Sequence, residues 1–136
     1  MVDAMIPDVR SCMSSPAVTI DADRSLSVAH RMMRDHGIRH LPVLEEGMLV
    51  GLLSEREVDR VEGRVDARGV AVRDVMVPAP FCVSPDANLP AVLREMVAQK
   101  YGSAVVVEGG RVVGMLTAID TQDAFANWLE RARHRH

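Results

Sequence analysis

Hydrophobic positions along this chain follow two periods, one helical and one typical of extended strands. Apolar side chains recur three and four residues apart from Leu26 and again from Leu89, which is the spacing of one face of an α-helix. Near-continuous Val and Leu runs follow each of these segments, at residues 41–44, 48–53, 104–107 and 111–116. Because a short turn containing Glu and Gly separates the two runs of each pair, they predict two β-hairpins covered by helices on at least one face.

Residues at the ends of these helices give start and stop signals. Ser25 precedes the first helix and Gly37 follows it, a capping residue and a residue suited to a left-handed helix end. The second helix opens with Asn88 and Pro90, but Lys100 stands where the first helix has Gly37. The sequence therefore leaves the end of the second helix open.

Each copy of the pattern contains two further elements. Short extended runs at residues 17–20 and 80–83 come before the helices, and second helices are predicted to begin at Ser54 and Thr117. Each copy reads β-α-β-β-α, so the predicted fold class is α/β.

The two copies form an internal repeat with a constant offset of 63 residues. Residues 13–60 align with residues 76–123 without a gap, and the turn glycines align with each other, Gly47 with Gly110 and Gly51 with Gly114. The predicted organisation is a first repeat at residues 8–61, a linker at 62–71, a second repeat at 72–126, and a C-terminal helix end and tail at 127–136.

Composition narrows the class of protein. The chain has 136 residues, of which 48% are hydrophobic and 26% charged, which is typical of a single globular module. A net charge of −3 argues against a nucleic-acid or anionic-membrane partner. Only 3% of residues are aromatic, which leaves few platforms for stacking the bases of single-stranded nucleic acid.

The sequence contains few of the residue patterns that indicate an enzyme or a secreted protein. Cys12 and Cys82 are too few for a disulfide framework and lack metal-ligand spacing, and no nucleophile motif is present. His36 and His40 lie on either side of Gly37, so they do not form a helical metal pair. The N-terminus does not resemble a signal peptide and no apolar stretch is long enough for a membrane span. We therefore expect a soluble cytoplasmic protein that is not an enzyme and requires no cofactor or metal.

Three segments resemble a known family, the cystathionine-β-synthase (CBS) domain. They are Asp74-Val-Met76, Gly37-Ile-Arg-His-Leu-Pro-Val43 and Gly51-Leu-Leu-Ser-Glu-Arg56, and the resemblance covers about residues 8–126. Two such domains in tandem are called a Bateman module. The resemblance implies two repeats packed face to face with pseudo-two-fold symmetry, two clefts between them that often bind adenine nucleotides, dimers, and a regulatory role.

The two predicted junctions between a strand and the following helix are candidate ligand sites. A helix N-terminus presents unpaired N–H groups suited to a phosphate. At Ser54 and Thr117 a hydroxyl opens the helix, and the acids Glu57 and Asp120 follow three residues later, where the family holds the ribose of its ligand. The same spacing is also a capping box, which Ser54 and Glu57 fit well and Thr117 and Asp120 fit less well, because Glu or Gln is preferred at the acid's position. Glu57 also departs from the Asp of the family. The ribose role is therefore expected at Asp120, and the first site is in doubt.

By the same resemblance, an apolar slot would hold the adenine. The expected lining residues are Ile20, Ile38, His40 and Pro42 in the first copy, and Val83, Tyr101, Ser103 and Val105 in the second. Each has a plainer explanation as part of a strand or its edge. Tyr101 could stack on a base or fill an edge, and His40 could meet phosphate or be a structural histidine. Arg56, in the first helical turn, is the expected phosphate contact because its guanidinium binds phosphate oxygens in pairs.

The last predicted helix concentrates two of the four aromatic residues. Phe125 and Trp128 lie at helical spacing with Ala124 and Leu129, which suits either packing on the neighbouring sheet or a dimer contact. We expect a homodimer with closed two-fold symmetry.

The leading hypothesis is a stand-alone CBS pair that senses AMP, ADP or ATP in the cleft between its repeats and signals to a partner protein that the sequence does not identify. The alternatives are a structural dimerisation module with vestigial clefts, and a module for a ligand of the S-adenosylmethionine type.

Overall fold

The computed structural model describes residues 7–134, which divide into two compact units. The first unit is Ala17–Pro80, and the second combines residues 7–16 with residues 81–134. The α-helices are α1 (Val9–Cys12), α2 (Leu26–His36), α3 (Glu55–Glu62), α4 (Leu89–Gln99) and α5 (Ala118–Arg133). The strands are β1 (Ile20–Asp21), β2 (His40–Glu45), β3 (Met48–Ser54), β4 (Val77–Pro78), β5 (Cys82–Val83), β6 (Ser103–Glu108) and β7 (Arg111–Thr117).

The two units contain sheets of the same plan. The first sheet has the order β1-β2-β3-β4 and the second the order β5-β6-β7. In each, a two-residue parallel strand lies beside an antiparallel hairpin, β1 beside β2 and β5 beside β6. This confirms the predicted α/β class and the β-α-β-β-α repeat. The strands expected at residues 17–20 and 80–83 are shorter and start later than predicted, because only Ile20–Asp21 and Cys82–Val83 reach a pairing partner. The second ends at Val83 as predicted, and the first ends one residue later than predicted.

Capping residues set the helix ends as the sequence predicted, with one addition. Ser25 accepts the Val28 N–H and Asn88 accepts the Ala91 N–H, which start α2 and α4. Gly37 ends α2 with φ 64°, the left-handed conformation predicted for it. Lys100 ends α4 in the same way with φ 59°, so a residue with a side chain adopts the strained region that glycine tolerates.

Each unit has its own hydrophobic core, built mainly from one face of a helix and the inward residues of a hairpin. The core of the first unit includes Leu26, Ala29, Met33, Leu41, Val43, Leu53 and Val58. The core of the second includes Leu89, Val92, Met96, Ala104, Val106 and Leu116. Alternate residues of a strand point to opposite faces, so residues 40, 42, 103 and 105 lie on the non-core face of their hairpins.

The opening segment of each repeat belongs to the compact unit that holds the rest of the other repeat. We call residues 7–16 the first leading segment and residues 72–80 the second leading segment. Val9 of the first is fully buried in the core of the second unit, and Val72 of the second is fully buried in the core of the first unit. Ser14 forms an antiparallel bridge with Met115, and Val77 pairs with Leu52. The compact units therefore exchange leading segments relative to the sequence repeats.

An arginine in each leading segment makes two ion pairs in the unit that receives it. Arg10 lies 3.2 Å from Asp86 and 2.7 Å from Glu108. Arg73 pairs with Asp23, and with Glu45 at 3.2 Å. The arginine and both of its acidic partners in one unit are related to those in the other by the 63-residue offset, so the same contacts occur in both units.

Candidate functional site

The strand-to-helix junction at Thr117 forms the most elaborate polar site among the predicted residues. Thr117 ends β7 on the non-core face and caps α5. Its backbone N–H donates to Asp120 Oδ2 at 2.9 Å, and its hydroxyl donates to the same oxygen at 3.0 Å. The Asp120 N–H donates back to Thr117 Oγ1 at 3.4 Å, which completes a capping box.

A residue of the first leading segment extends this junction. The Ser14 hydroxyl donates to Asp120 Oδ1 at 2.8 Å. Asp120 is therefore held through both oxygens, by the start of its own helix and by a segment 106 residues earlier in the chain. Oδ1 accepts one of these hydrogen bonds, and a carboxylate oxygen has room for two.

Two further predicted residues lie on the same hairpin face as Thr117. Ser103 is the direct cross-strand partner of Thr117, and Val105 follows it on the non-core face; both are buried. Tyr101 lies two residues before Ser103, is 42% exposed, and stacks on Phe81 with ring centroids 4.9 Å apart. The exposed part of the ring leaves area for a second flat group, the kind of contact that a purine makes. Val83 instead packs against the core of its own unit.

The corresponding junction of the first unit has the same backbone and different side chains. Ser54 ends β3, and its N–H donates to Glu57 Oε1 at 3.1 Å, the capping interaction that the sequence pattern allowed. Val77 stands where the second unit has Ser14, so no hydroxyl occupies the equivalent place beside Glu57. Glu57 accepts its hydrogen bond from the Ser54 N–H at the start of its own helix. Among residues 7–134, no residue of the second leading segment donates a hydrogen bond to Glu57.

The remaining predicted residues of the first unit divide between its core and its surface. Ile20 is buried in the core and Ile38 packs against it. Pro42 is fully buried on the non-core face, and Arg56 is exposed in the first turn of α3.

His40 is the direct partner of Ser54 across the hairpin, and its environment affects its charge. Burial lowers the pKa of its imidazole below the ordinary value of 6.5, and the nearby Arg39 adds to this, whereas Glu57 and Glu55 oppose it. His40 is therefore neutral at pH 7. A phosphate at this junction would have to rely on Arg56 and the helix N-terminus for positive charge.

Sequence reasoning did not identify Ser14, Phe81, Arg10 or Arg73. A signal for the arginines was available, because the 63-residue offset also pairs Val9 with Val72 and Arg10 with Arg73. Nothing in the local pattern around Ser14 indicates its contact with Asp120.

One group of side chains of the types that can bind a metal comes together in the first unit without a signal in the sequence, formed by His30, Asp59 and Glu62. None of the helices in residues 7–134 is long and apolar enough to traverse a bilayer.

Comparison with known proteins identifies one domain family, which matches the chain twice. The family model of the CBS domain matches residues 9–63 and again residues 72–127. The inosine-5'-monophosphate dehydrogenase of Korarchaeum cryptofilum is 33% identical over 104 residues, which cover 76% of this chain and 21% of that protein. The chain spans between 15% and 28% of the length of four such curated relatives.

Solved structures with this fold include two with bound ligands. The CBS domain pair of the protein MJ0100, in complex with 5'-methylthioadenosine and S-adenosyl-L-methionine, has a TM-score of 0.81 and 24% identity over 90% of this chain and 98% of that chain. CBSX2 in complex with AMP has a TM-score of 0.75 and 21% identity over 89% of this chain and 97% of that chain. These likenesses establish the fold.

Proposed function

This chain belongs to the CBS domain family, with two copies in tandem, and from that premise we propose that it is a regulatory protein that binds an adenine nucleotide (AMP, ADP or ATP). Asp120 carries the proposal. Its carboxylate lies at a helix N-terminus, beside the hydroxyl groups of Ser14 and Thr117. Thr117 lies on the hairpin face that also bears Ser103 and Val105. An acid at the start of a helix is suited to accept the two hydroxyls of a ribose.

The hydrogen bonds of Asp120 indicate how a ribose would be accommodated. One ribose hydroxyl donates to the unused acceptor site of Oδ1, next to Ser14. The second donates to Oδ2 in place of the Thr117 hydroxyl, which rotates and can then accept or donate elsewhere. The Thr117 N–H stays bonded to Oδ2, so the helix remains capped while the ligand is bound. The purine ring then has the exposed part of Tyr101 and the non-core face of β6 as its apolar surroundings.

The proposed output is regulation rather than catalysis. A ligand shifts a conformational equilibrium only by its difference in affinity for the two states, so occupation of the Asp120 site would favour one arrangement of the chain over another. A partner protein that recognises one arrangement would read this change. We place the protein in the cytoplasm, in keeping with its net charge of −3 and its two cysteines.

Calorimetric titration of the whole chain with AMP, ADP and ATP tests the proposal. We expect one nucleotide to bind at the Asp120 site, and Asp120→Asn to weaken its binding by about 10- to 100-fold, the value of hydrogen bonds to a charged acceptor. Glu57→Gln is the matched control in the first unit and should leave that affinity unchanged. If Asp120 served only as a cap, Asp120→Asn would lower stability by about 1 kcal/mol and leave the affinity as it was. Wild-type protein that binds none of the three nucleotides would refute the proposal.

A ligand of the S-adenosylmethionine type is a second candidate because of one residue. Ile119 follows Thr117 by two positions, where the first unit has Arg56, and its side chain is 68% exposed. The second site therefore lacks the arginine that a phosphate would favour, whereas an adenosine without phosphate needs no such charge. Tighter binding of S-adenosylmethionine than of AMP in the same titration would select this candidate.

We also propose that the chain forms a homodimer through α5. No residue of α5 is buried, and Phe125 is 60% exposed beside Trp128, with ring centroids 6.4 Å apart. Apolar surface of this kind on a helix is typical of an interface. Light scattering should give twice the chain mass at micromolar concentration, and Phe125→Glu should halve it. A monomeric mass for the wild type would refute the homodimer. The same result would also exclude the alternative of a purely structural dimerisation module.

A further inference from the structure

Three metal-ligating side chains meet where helices α2 and α3 of the first unit pack together. His30 Nδ1 and Glu62 Oε1 are 2.8 Å apart, and one ligand atom from each of His30, Asp59 and Glu62 lies within 4.8 Å of the other two. In residues 7–134 no other group of three or more His, Cys, Asp or Glu side chains is as close. The cluster shares no residue with either strand-to-helix junction.

The helices explain why these side chains come together. Asp59 and Glu62 are three residues apart on α3 and so share one of its faces. Ala29 and Met33 turn one face of α2 into the core, and His30 lies at the border of that face, toward α3. The His30 and Glu62 side chains are 33% and 30% exposed, so the cluster is partly sheltered while one side remains open to solvent.

The charge at this place favours a cation. With a neutral imidazole, the cluster carries two negative charges. Both carboxylates lie in the last turn of α3, at the negative end of the helix dipole, where a positive charge is stabilising and an acidic side chain is not. A divalent cation would compensate for both effects.

The second unit shows that the fold does not require these residues. The 63-residue offset places Leu93, Gln122 and Phe125 at the positions of His30, Asp59 and Glu62. The second unit therefore has the same order of helices and strands without a histidine or a carboxylate at any of the three positions. A purely structural explanation, the His30–Glu62 ion pair, does not involve the Asp59 side chain.

We propose that His30, Asp59 and Glu62 bind a Zn²⁺ ion, with water as the fourth ligand. Imidazole nitrogen and carboxylate oxygen both bind zinc at about 2.0–2.2 Å, which places neighbouring ligand atoms roughly 3.3 Å apart in a tetrahedral site. Small rotations of exposed side chains are enough to reach that spacing from the separations present. Mg²⁺ and Ca²⁺ prefer sites made of oxygen alone, so the imidazole selects zinc over them. The ion would join α2 to the last turn of α3.

Titration of the whole chain with ZnCl2, followed by calorimetry and by thermal unfolding, tests this site. We expect one ion at the cluster and a rise of several degrees in the unfolding temperature at saturating zinc, with no rise in MgCl2. Asp59→Asn and His30→Gln should each weaken zinc binding by about tenfold or more, because each removes one of three protein ligands. Asp59 is exposed, so Asp59→Asn is expected to unfold at the wild-type temperature when zinc is absent.

Matched controls separate this cluster from other zinc-binding groups. His36→Gln removes a histidine from the same helix, and Asp123→Asn removes an exposed acid from α5; both should bind zinc as the wild type does. A variant with His134→Gln and His136→Gln removes the C-terminal histidines and should also bind zinc normally. The proposal is wrong if the wild type shows no zinc-dependent shift, if Asp59→Asn and His30→Gln bind zinc unchanged, or if the C-terminal variant abolishes binding.

Discussion

The two units of this protein have the same scaffold and different chemistry. Residues that build the scaffold are identical at matched positions, as in Val9 and Val72, Arg10 and Arg73, Met13 and Met76, and Gly51 and Gly114. Residues at the strand-to-helix junctions differ at matched positions, as in Glu57 and Asp120, Arg56 and Ile119, His40 and Ser103, Ile38 and Tyr101, and Val77 and Ser14. The two strand-to-helix junctions thus have the same secondary structure, but their side chains differ, so we expect them to bind different ligands.

The largest difference between the units in response to substitution is expected at the paired glycines. A Cβ at Gly114 would lie 2.8 Å from both the backbone oxygen of Ser14 and the Met13 sulfur. A Cβ at Gly51 would lie 3.0 Å from the backbone oxygen of Val77 and closer, at 2.5 Å, to the flexible end of Met76. We expect Gly114→Ala to lower the free energy of unfolding by about 2–3 kcal/mol and Gly51→Ala by about 1–2 kcal/mol. Urea unfolding measures both. Equal losses would show that the methionine, rather than the neighbouring backbone, sets the cost.

A smaller effect on the free energy of unfolding is expected from substitutions at the ends of α2 and α4, and its sign differs between the two units. Gly37 and Lys100 both adopt a left-handed conformation, which costs a residue with a side chain about 1 kcal/mol more than glycine. Lys100→Gly should therefore raise the free energy of unfolding by about 1 kcal/mol, and Gly37→Lys should lower it by a similar amount. Thermal unfolding of both variants measures the pair. A loss of stability in Lys100→Gly would mean that the lysine side chain contributes contacts that outweigh its backbone strain.

The smallest effect is expected in the pH dependence of stability, at His40 and its counterpart Ser103. Burial lowers the pKa of His40 in the folded chain below the unfolded value of about 6.5, so the unfolded chain binds more protons. Above about pH 6.5 the imidazole is mainly neutral in both the folded and the unfolded chain, so its burial adds no pH dependence to the free energy of unfolding. Stability falls as the pH drops below that value and levels off below the folded pKa.

His40→Ser, which copies the second unit, should reduce this slope in denaturant unfolding at a series of pH values between about 7 and 5. His36→Gln, at an exposed position at the C-terminal end of α2, is the control. An unchanged slope in His40→Ser would assign the pH dependence to other groups.

Local patterns in the sequence predicted the elements well because local interactions form them. The caps at Ser25 and Asn88, the left-handed end at Gly37, and the starts of α3 and α5 all follow from residues within four positions of the helix end. The conformation of Lys100 did not follow, because tertiary context overrides the preference of a lysine for other regions of backbone space.

The exchange of leading segments lay beyond local reasoning for another physical reason. The offset of 63 residues relates Arg10 to Arg73 but does not say which hairpin each segment joins. That choice depends on contacts between residues far apart in the chain, such as Arg10 with Glu108. The same limit applies to the candidate site, where Thr117 and Asp120 were predicted from their spacing and Ser14 was not.

The exchanged leading segments also bear on how such a molecule can arise. A chain that carried a single copy of the repeat would have to obtain its leading segment from a second chain, and its folding would then depend on concentration. Joining two copies end to end turns that encounter between molecules into one within a molecule, at an effective concentration set by the linker. Gene duplication and fusion would thus convert an obligate assembly of two short chains into one chain whose halves could then acquire separate ligands.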